Sequence, residues 1–160
     1  GVTVEDRTVV SAALKKAEDT GAPAVAIELQ DGTIITGKTS NLLGASSAML
    51  INALKYLGNI DDETKLIMPE VIEPVQELKV KHLGNHNPRL HLDEILIALS
   101  ICATTDKNAE KAMKQLHKLK GCEVHSTVIL SQVDENTFRK LGINLTSEPK
   151  YQTKKLYHHR

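Results

Sequence analysis

The chain has 160 residues, zero net charge from 20 basic and 20 acidic side chains, and four aromatic rings, Tyr56, Phe138, Tyr151 and Tyr157. That length suits one domain with an aliphatic core, and so few rings exclude a base-stacking platform for single-stranded nucleic acid. Residues 150–160 hold four basic groups and no acid, so residues 1–149 carry 16 basic against 20 acidic groups, a net −4 that does not attract nucleic acid.

In chain order, "TVEDRTVVSAALKKAED" places Thr3 and Asp6 at capping-box spacing before apolar residues at helical intervals, with Gly21 as the stop. "PAVAIEL" and "TIITGK" read as two strands joined at Asp31-Gly32, a dipeptide suited to a type I′ hairpin turn. A second helix spans "GASSAMLINALKYLG", and "KLIM" reads as a short buried strand. "PEVIEPVQELKVKHLG" is a third helix, with Pro74 tolerable only near the first turn. "LHLDEILIALSICA" is apolar nearly all round, which predicts a central, buried helix. The amphipathic helix "TTDKNAEKAMKQLHKLKG", the strand "CEVHSTVIL", the short helix "VDENTFRKLG" and the strand "INLT" complete the order. The expected fold is α/β: a mixed, mostly parallel sheet with one antiparallel hairpin and helices on both faces. Residues 1–149 form the domain and 150–160 a basic tail.

Gly32-Thr33-Ile34-Ile35-Thr36-Gly37-Lys38-Thr39 spells the phosphate-loop signature G-x-x-x-x-G-K-T. Its context argues otherwise. The four residues between the glycines are β-branched, prefer a strand, and resist the turns that gather backbone N–H groups on phosphate. The stretch is expected to be a hairpin. Lys38, Thr39, Ser40 and Asn41 then lead from a strand end into a helix start, where α/β sheets bind ligands. A helix N-terminus there, with Ser46 and Ser47 close by, accepts an anion.

"HLGNHNPRLHLDE" gathers His82, His86, Arg89, His91, Asp93 and Glu94 in a loop and a helix start. The residue types suit acid–base or ligand chemistry, while Asp93 and Glu94 also suit a helix dipole. Arg89, His91 and Asp93 are candidate ligand-binding residues, as are His125 and Ser126 in the strand at 122–130. Alternation puts His125 and Ser126 on opposite faces, so they do not form a nucleophile–base pair by themselves. Ser126, His91 and Asp134 compose a serine triad on paper, but no G-x-S-x-G elbow supports it. Ser131 and Asp134 read first as caps. Cys102 and Cys122 have no metal or redox spacing, so neither metal nor cofactor is expected. No run approaches 18 apolar residues and no signal peptide precedes the domain, so no membrane partner and a cytoplasmic setting are expected. The start at Gly1 suits a piece cut from a longer protein.

"TGAPAVAIEL-DG-I-TGKTS-LLGASSA", "NPRLH-DE-LIALSI", "GCE-HSTVILSQVDEN-FRKLG" and "EP-YQTKKLYH" resemble the C-terminal part of the uncharacterised bacterial domain-of-unknown-function family 1846. The resemblance implies a longer protein whose own glycine-rich, phosphate-loop-like stretch lies in its N-terminal part. Some members are labelled ATP-dependent peptidases, yet the family brings no established activity and no catalytic residue. The element order is also similar to the cytidine-deaminase fold, with residues 92–119 as a helical insertion. That fold's zinc ligands have no counterpart in "GASSAML" and "PEVIEP", and its crevice would be walled by Pro69 and Glu70 opposite residues 38–41. Three functions follow as expectations. The first is a domain holding a small, phosphorylated ligand without zinc. The second is an assembly domain docking on the N-terminal part or on a second copy as a homo-oligomer. The third is a peptidase.

Overall fold

The computed structural model describes residues 8–150. The capping-box pair Thr3 and Asp6 and all but the first residue of the basic tail lie outside them. Helix α1 runs Thr8–Thr20 and ends where the Gly21 N–H (φ +69°) donates to Ala17 O at 2.8 Å. Strands β1 (Ala24–Glu28) and β2 (Ile34–Lys38) pair antiparallel, so the phosphate-loop-like stretch is a hairpin arm. The turn is not type I′. That type needs positive φ at both central residues, and among the described residues Asn59 is the one non-glycine with positive φ. Instead Gly32 N donates to Leu29 O and Leu29 N to Thr33 O, each at 2.9 Å, closing a three-residue loop with Gly32 at φ +86°. Asp31 Oδ1 accepts Thr33 N and its Oδ2 accepts Tyr56 Oη–H, which stabilises that shape.

Helix α2 (Ala45–Leu57) crosses β2 so closely that a Cβ on Gly37 would overlap Met49 N and lie 2.6 Å from Met49 Cα. The second glycine of the signature is therefore a packing glycine. Residues 65–68 form no strand. Leu66 and Ile67 are buried from an irregular segment, because a short apolar run reports burial and not backbone conformation. Helix α3 (Pro69–Glu77) starts on Pro69 and carries Pro74 as its sixth residue, deeper than expected. The carbonyl Pro74 leaves unbonded belongs to Glu70, an exposed residue within reach of water. A π-turn, Leu78–His82, extends α3. Helices α4 (Leu92–Cys102) and α5 (Lys107–Met113) and a 3₁₀ turn (Leu116–Leu119) fill the segment expected as an insertion. Strand β3 (Glu123–Ser126), helix α6 (Gln132–Lys140) and strand β4 (Asn144–Ser147) follow.

The sheet is four-stranded and mixed, in the order β2-β1-β3-β4. It is not mostly parallel: β1 runs antiparallel to both β2 and β3, and only β3 and β4 are parallel. Losing the expected strand at 65–68 removes a parallel partner and leaves the hairpin to set the balance. Val9, Val10, Ala13 and Ala26 form a thin core between α1 and one sheet face. Val25, Ile27 and Val124 join the larger core with α2, α4, α5 and Phe138 of α6 on the other. Helices thus cover both faces. Among the described residues no helix is long and apolar enough to cross a membrane.

Candidate functional site

The sheet's covering brings three helix starts to one place. β2 ends at Lys38 and the chain reaches α2 through residues 39–44. The end of the histidine-rich loop is stitched to that connection. Leu90 N donates to Leu42 O at 3.1 Å, Gly44 N to Leu90 O at 3.4 Å, and Arg89 Nε to Ser40 O. Buried Lys79 anchors the loop from beneath, its Nζ 2.6 Å from Arg89 O and 2.7 Å from Glu94 Oε1. The third start is α6, whose cap Ser131 accepts Asp134 N at 3.2 Å, as the sequence suggests.

Between these starts lies a cavity of about 70 Å³. Thr39, Gly44 and Ser46 form one wall, Asn87, Arg89 and His91 a second, and Val128 to Ser131 with Asp134 a third. A water needs about 10–15 Å³ on this measure, so the space suits a few waters or one small oxyanion. Larger grooves are open. One of about 820 Å³ runs beside Lys55, but its ammonium already donates to Asp62 O at 2.8 Å, and desolvation holds the Lys55 pKa below the usual lysine range.

Ser46 and Ser47 open α2 and are each 1% exposed. Ser47 Oγ donates to Leu90 O at 3.0 Å. Ser46 is a lining residue of the cavity, and its buried Oγ has no hydrogen-bond partner among the described residues. The first turn of α2 also holds no acid and no side-chain cap. Among the described residues the one other buried side-chain oxygen or nitrogen without a partner is Gln115 Oε1, and its amide nitrogen donates to Lys111 O. The neighbouring start of α4 is occupied: Glu94 Oε1 accepts His91 N at 2.7 Å, and Asp134 Oδ1 accepts Leu92 N at 2.9 Å. Burial raises the Asp134 pKa and Asp93 and Glu94 add to the rise, while the Leu92 N–H and His91 oppose it. His91 Nδ1 stands 3.9 Å from Asp134 Oδ1, too far for a hydrogen bond.

Of the residues singled out in the sequence, Thr39, Arg89 and His91 line the cavity. Ser40 sits behind it, its carbonyl held by Arg89 and its hydroxyl accepting Leu43 N at 3.2 Å. Lys38 and Asn41 are exposed and do not line it, and Asp93 Oδ1 accepts Glu94 N. His125 is buried on β3 with both ring nitrogens engaged, by Thr146 Oγ1 at 2.7 Å and Glu148 Oε2 at 2.8 Å. Ser126 Oγ donates to Val128 O and stays outside the cavity, so the paper triad keeps only His91 and Asp134 together. Pro69 and Glu70 do not line it either; their place is taken by residues 128–134. Ser46, Ser131 and Asp134 read as helix-start residues, and nothing local marks Asp134 as bonded to α4 42 positions away.

The family model described as "Domain of unknown function DUF1846, C-terminal" matches residues 5–157. The chain belongs to this family. The UPF0371 protein of Corynebacterium efficiens is 60% identical over all 160 residues, and that of Corynebacterium diphtheriae 58%. A UPF0371 protein of Streptococcus pyogenes is 58% identical over 157 residues, 98% of the chain. The DUF1846 chain spans about a third of the length of these relatives, 32% in each. Their names record an uncharacterised bacterial family and assign no reaction.

Proposed function

We propose that this chain is a ligand-holding domain of a larger cytosolic protein, seating the oxyanion head of a small, phosphorylated molecule at the start of α2. The observation that carries this reading is Ser46, a cavity-lining residue whose buried hydroxyl has no partner among the described residues. A buried hydroxyl without a partner costs about 1–3 kcal/mol, and an anion at a helix start gives it an acceptor together with the helix dipole. Arg89 on the facing wall supplies positive charge. A cavity of about 70 Å³ admits the head alone, so the rest of the ligand extends outward. The chemistry uses no zinc. The opening hairpin, α2 behind it and the parallel β3-α6-β4 unit support a cytidine-deaminase-like topology as part of this proposal.

Thermal-shift and calorimetric titrations with inorganic phosphate, simple phosphate monoesters and the matching alcohols test it. Phosphate and the esters are expected to stabilise the protein by about 2.7 kcal/mol at a hundred times Kd. The alcohols are expected to do nothing, and Ser46→Ala and Arg89→Ala to weaken the effect. Equal stabilisation of Ser46→Ala and wild type, or none of either, removes the reading.

A further inference from the structure

A helix that is apolar all round belongs in an interior, and α4 meets that description without being enclosed. Its inner side is buried through Ile95, Ala98 and Leu99, whereas Ile97 and Ile101, one turn apart, are 58% and 53% exposed. No charged residue occurs from Ile95 through Thr105. The hydroxyls on this side turn back onto the helix: Ser100 Oγ donates to Ile97 O and Thr104 Oγ1 to Ile101 O, each at 2.7 Å. That back-bonding leaves the face almost without free donors. Beside it, Met68, Val71 and Ile101 line an open groove of about 610 Å³ whose far edge holds Asp106 and Lys107, and Met68 is itself 41% exposed. Large apolar side chains exposed together on one face suit an interaction site.

We infer that the outer face of α4, with Met68 and Val71, is the seat of a second domain of the same polypeptide. This concerns a different face from the cavity and does not depend on its ligand. The occupant is chosen on two grounds. The relatives carry about twice as much chain again outside the matched region, which covers 32% of their length. A tethered domain also meets the face at an effective concentration on the order of millimolar, so a mostly apolar face needs no charge to draw it in. Such faces are the mark of permanent, interior-like contacts.

Hydroxyl-radical footprinting read by mass spectrometry tests this on a polypeptide of the relatives' length carrying this chain, beside the 160-residue chain itself. Modification of Met68, Ile97 and Ile101 is expected to slow several-fold in the longer protein. Leu14, on α1 across the sheet, is expected to react equally in both. The paired change Ile97→Glu and Ile101→Glu is expected to restore the Met68 rate in the longer protein and to lower its melting temperature. In the 160-residue chain the same pair stays solvated and shifts little. Equal rates at Ile97 and Ile101 in the two proteins overturn the inference. Protection that grows with concentration of the 160-residue chain overturns it in favour of a second copy. Protection already present in the 160-residue chain at every concentration overturns it in favour of this chain's own residues outside 8–150.

Discussion

The two ends of strand β2 start from the same eight-residue signature and differ in how their polar groups are answered. At the tip, Asp31 accepts the Thr33 N–H and the Tyr56 hydroxyl, Tyr56 meets Thr33 Oγ1 at 2.9 Å, and nothing is left over. At the far end, past Gly37 and Thr39, Ser46 is equally local and equally polar, yet has no partner among the described residues. Function is therefore to be sought beyond the motif and not inside it. The glycines make the contrast quantitative. Gly32 needs its positive φ and has open space around it, whereas Gly37 needs the absent Cβ because the Met49 backbone occupies its place. Gly37→Ala is expected to cost about 3 kcal/mol, the upper end for forced overpacking against backbone. Gly32→Ala is expected to cost about 1 kcal/mol for the left-handed conformation alone. Denaturant unfolding of the two variants checks this, and similar costs would show that α2 does not pin β2.

That distinction also shows where the sequence was readable. The hairpin, the helix stops at Gly21 and Gly58 and the Ser131 cap follow from residues within a few positions of one another, so local chemistry exposes them. Three features did not follow. The run 65–68 is as apolar as a strand but has no neighbour to pair with, because β3 takes the place beside β1. Helix α4 reads as fully enclosed, although one side faces outward among the described residues. The cavity depends on a bond between Asp134 and Leu92, and such a contact leaves no periodicity to read. Thr39 was legible at a strand-to-helix connection, and Arg89 and His91 in a turn rich in polar groups; that they face residues 128–134 was not.

Ser46 and Ser47 carry the same contrast within one turn of α2. Ser47→Ala is expected to lower stability by about 1 kcal/mol, because the Leu90 carbonyl loses a buried donor. Ser46→Ala is expected to raise it by about 1 kcal/mol in ligand-free protein, since a desolvated hydroxyl with no acceptor is removed. Opposite signs in parallel urea titrations support an open acceptor site in the cavity. Two losses of equal size would mean that Ser46 is bonded like its neighbour.

The smallest effect comes from Asp134, where opposed causes partly cancel. Burial raises its pKa, helped by Asp93 and Glu94; the Leu92 N–H and His91 pull it back, and the outcome is a rise. A carboxyl that binds its proton more tightly folded than unfolded stabilises the fold fully below the unfolded value near 3.8, and that contribution is lost as pH rises through the folded value. Asp134→Asn keeps an oxygen for the Leu92 N–H and removes the charge. The variant is thus expected to gain on wild type as pH climbs from below about 4, and to hold a constant lead once Asp134 is ionised in both states. Sulfate, whose charge is fixed over this range, reads the same carboxylate from inside the cavity. Its affinity for wild type is expected to fall as Asp134 ionises, because a carboxylate on the wall repels it. Asp134→Asn is expected to flatten that part of the profile. A stability difference that does not change with pH would place Asp134 in water, and the cavity would then lose one of its three walls.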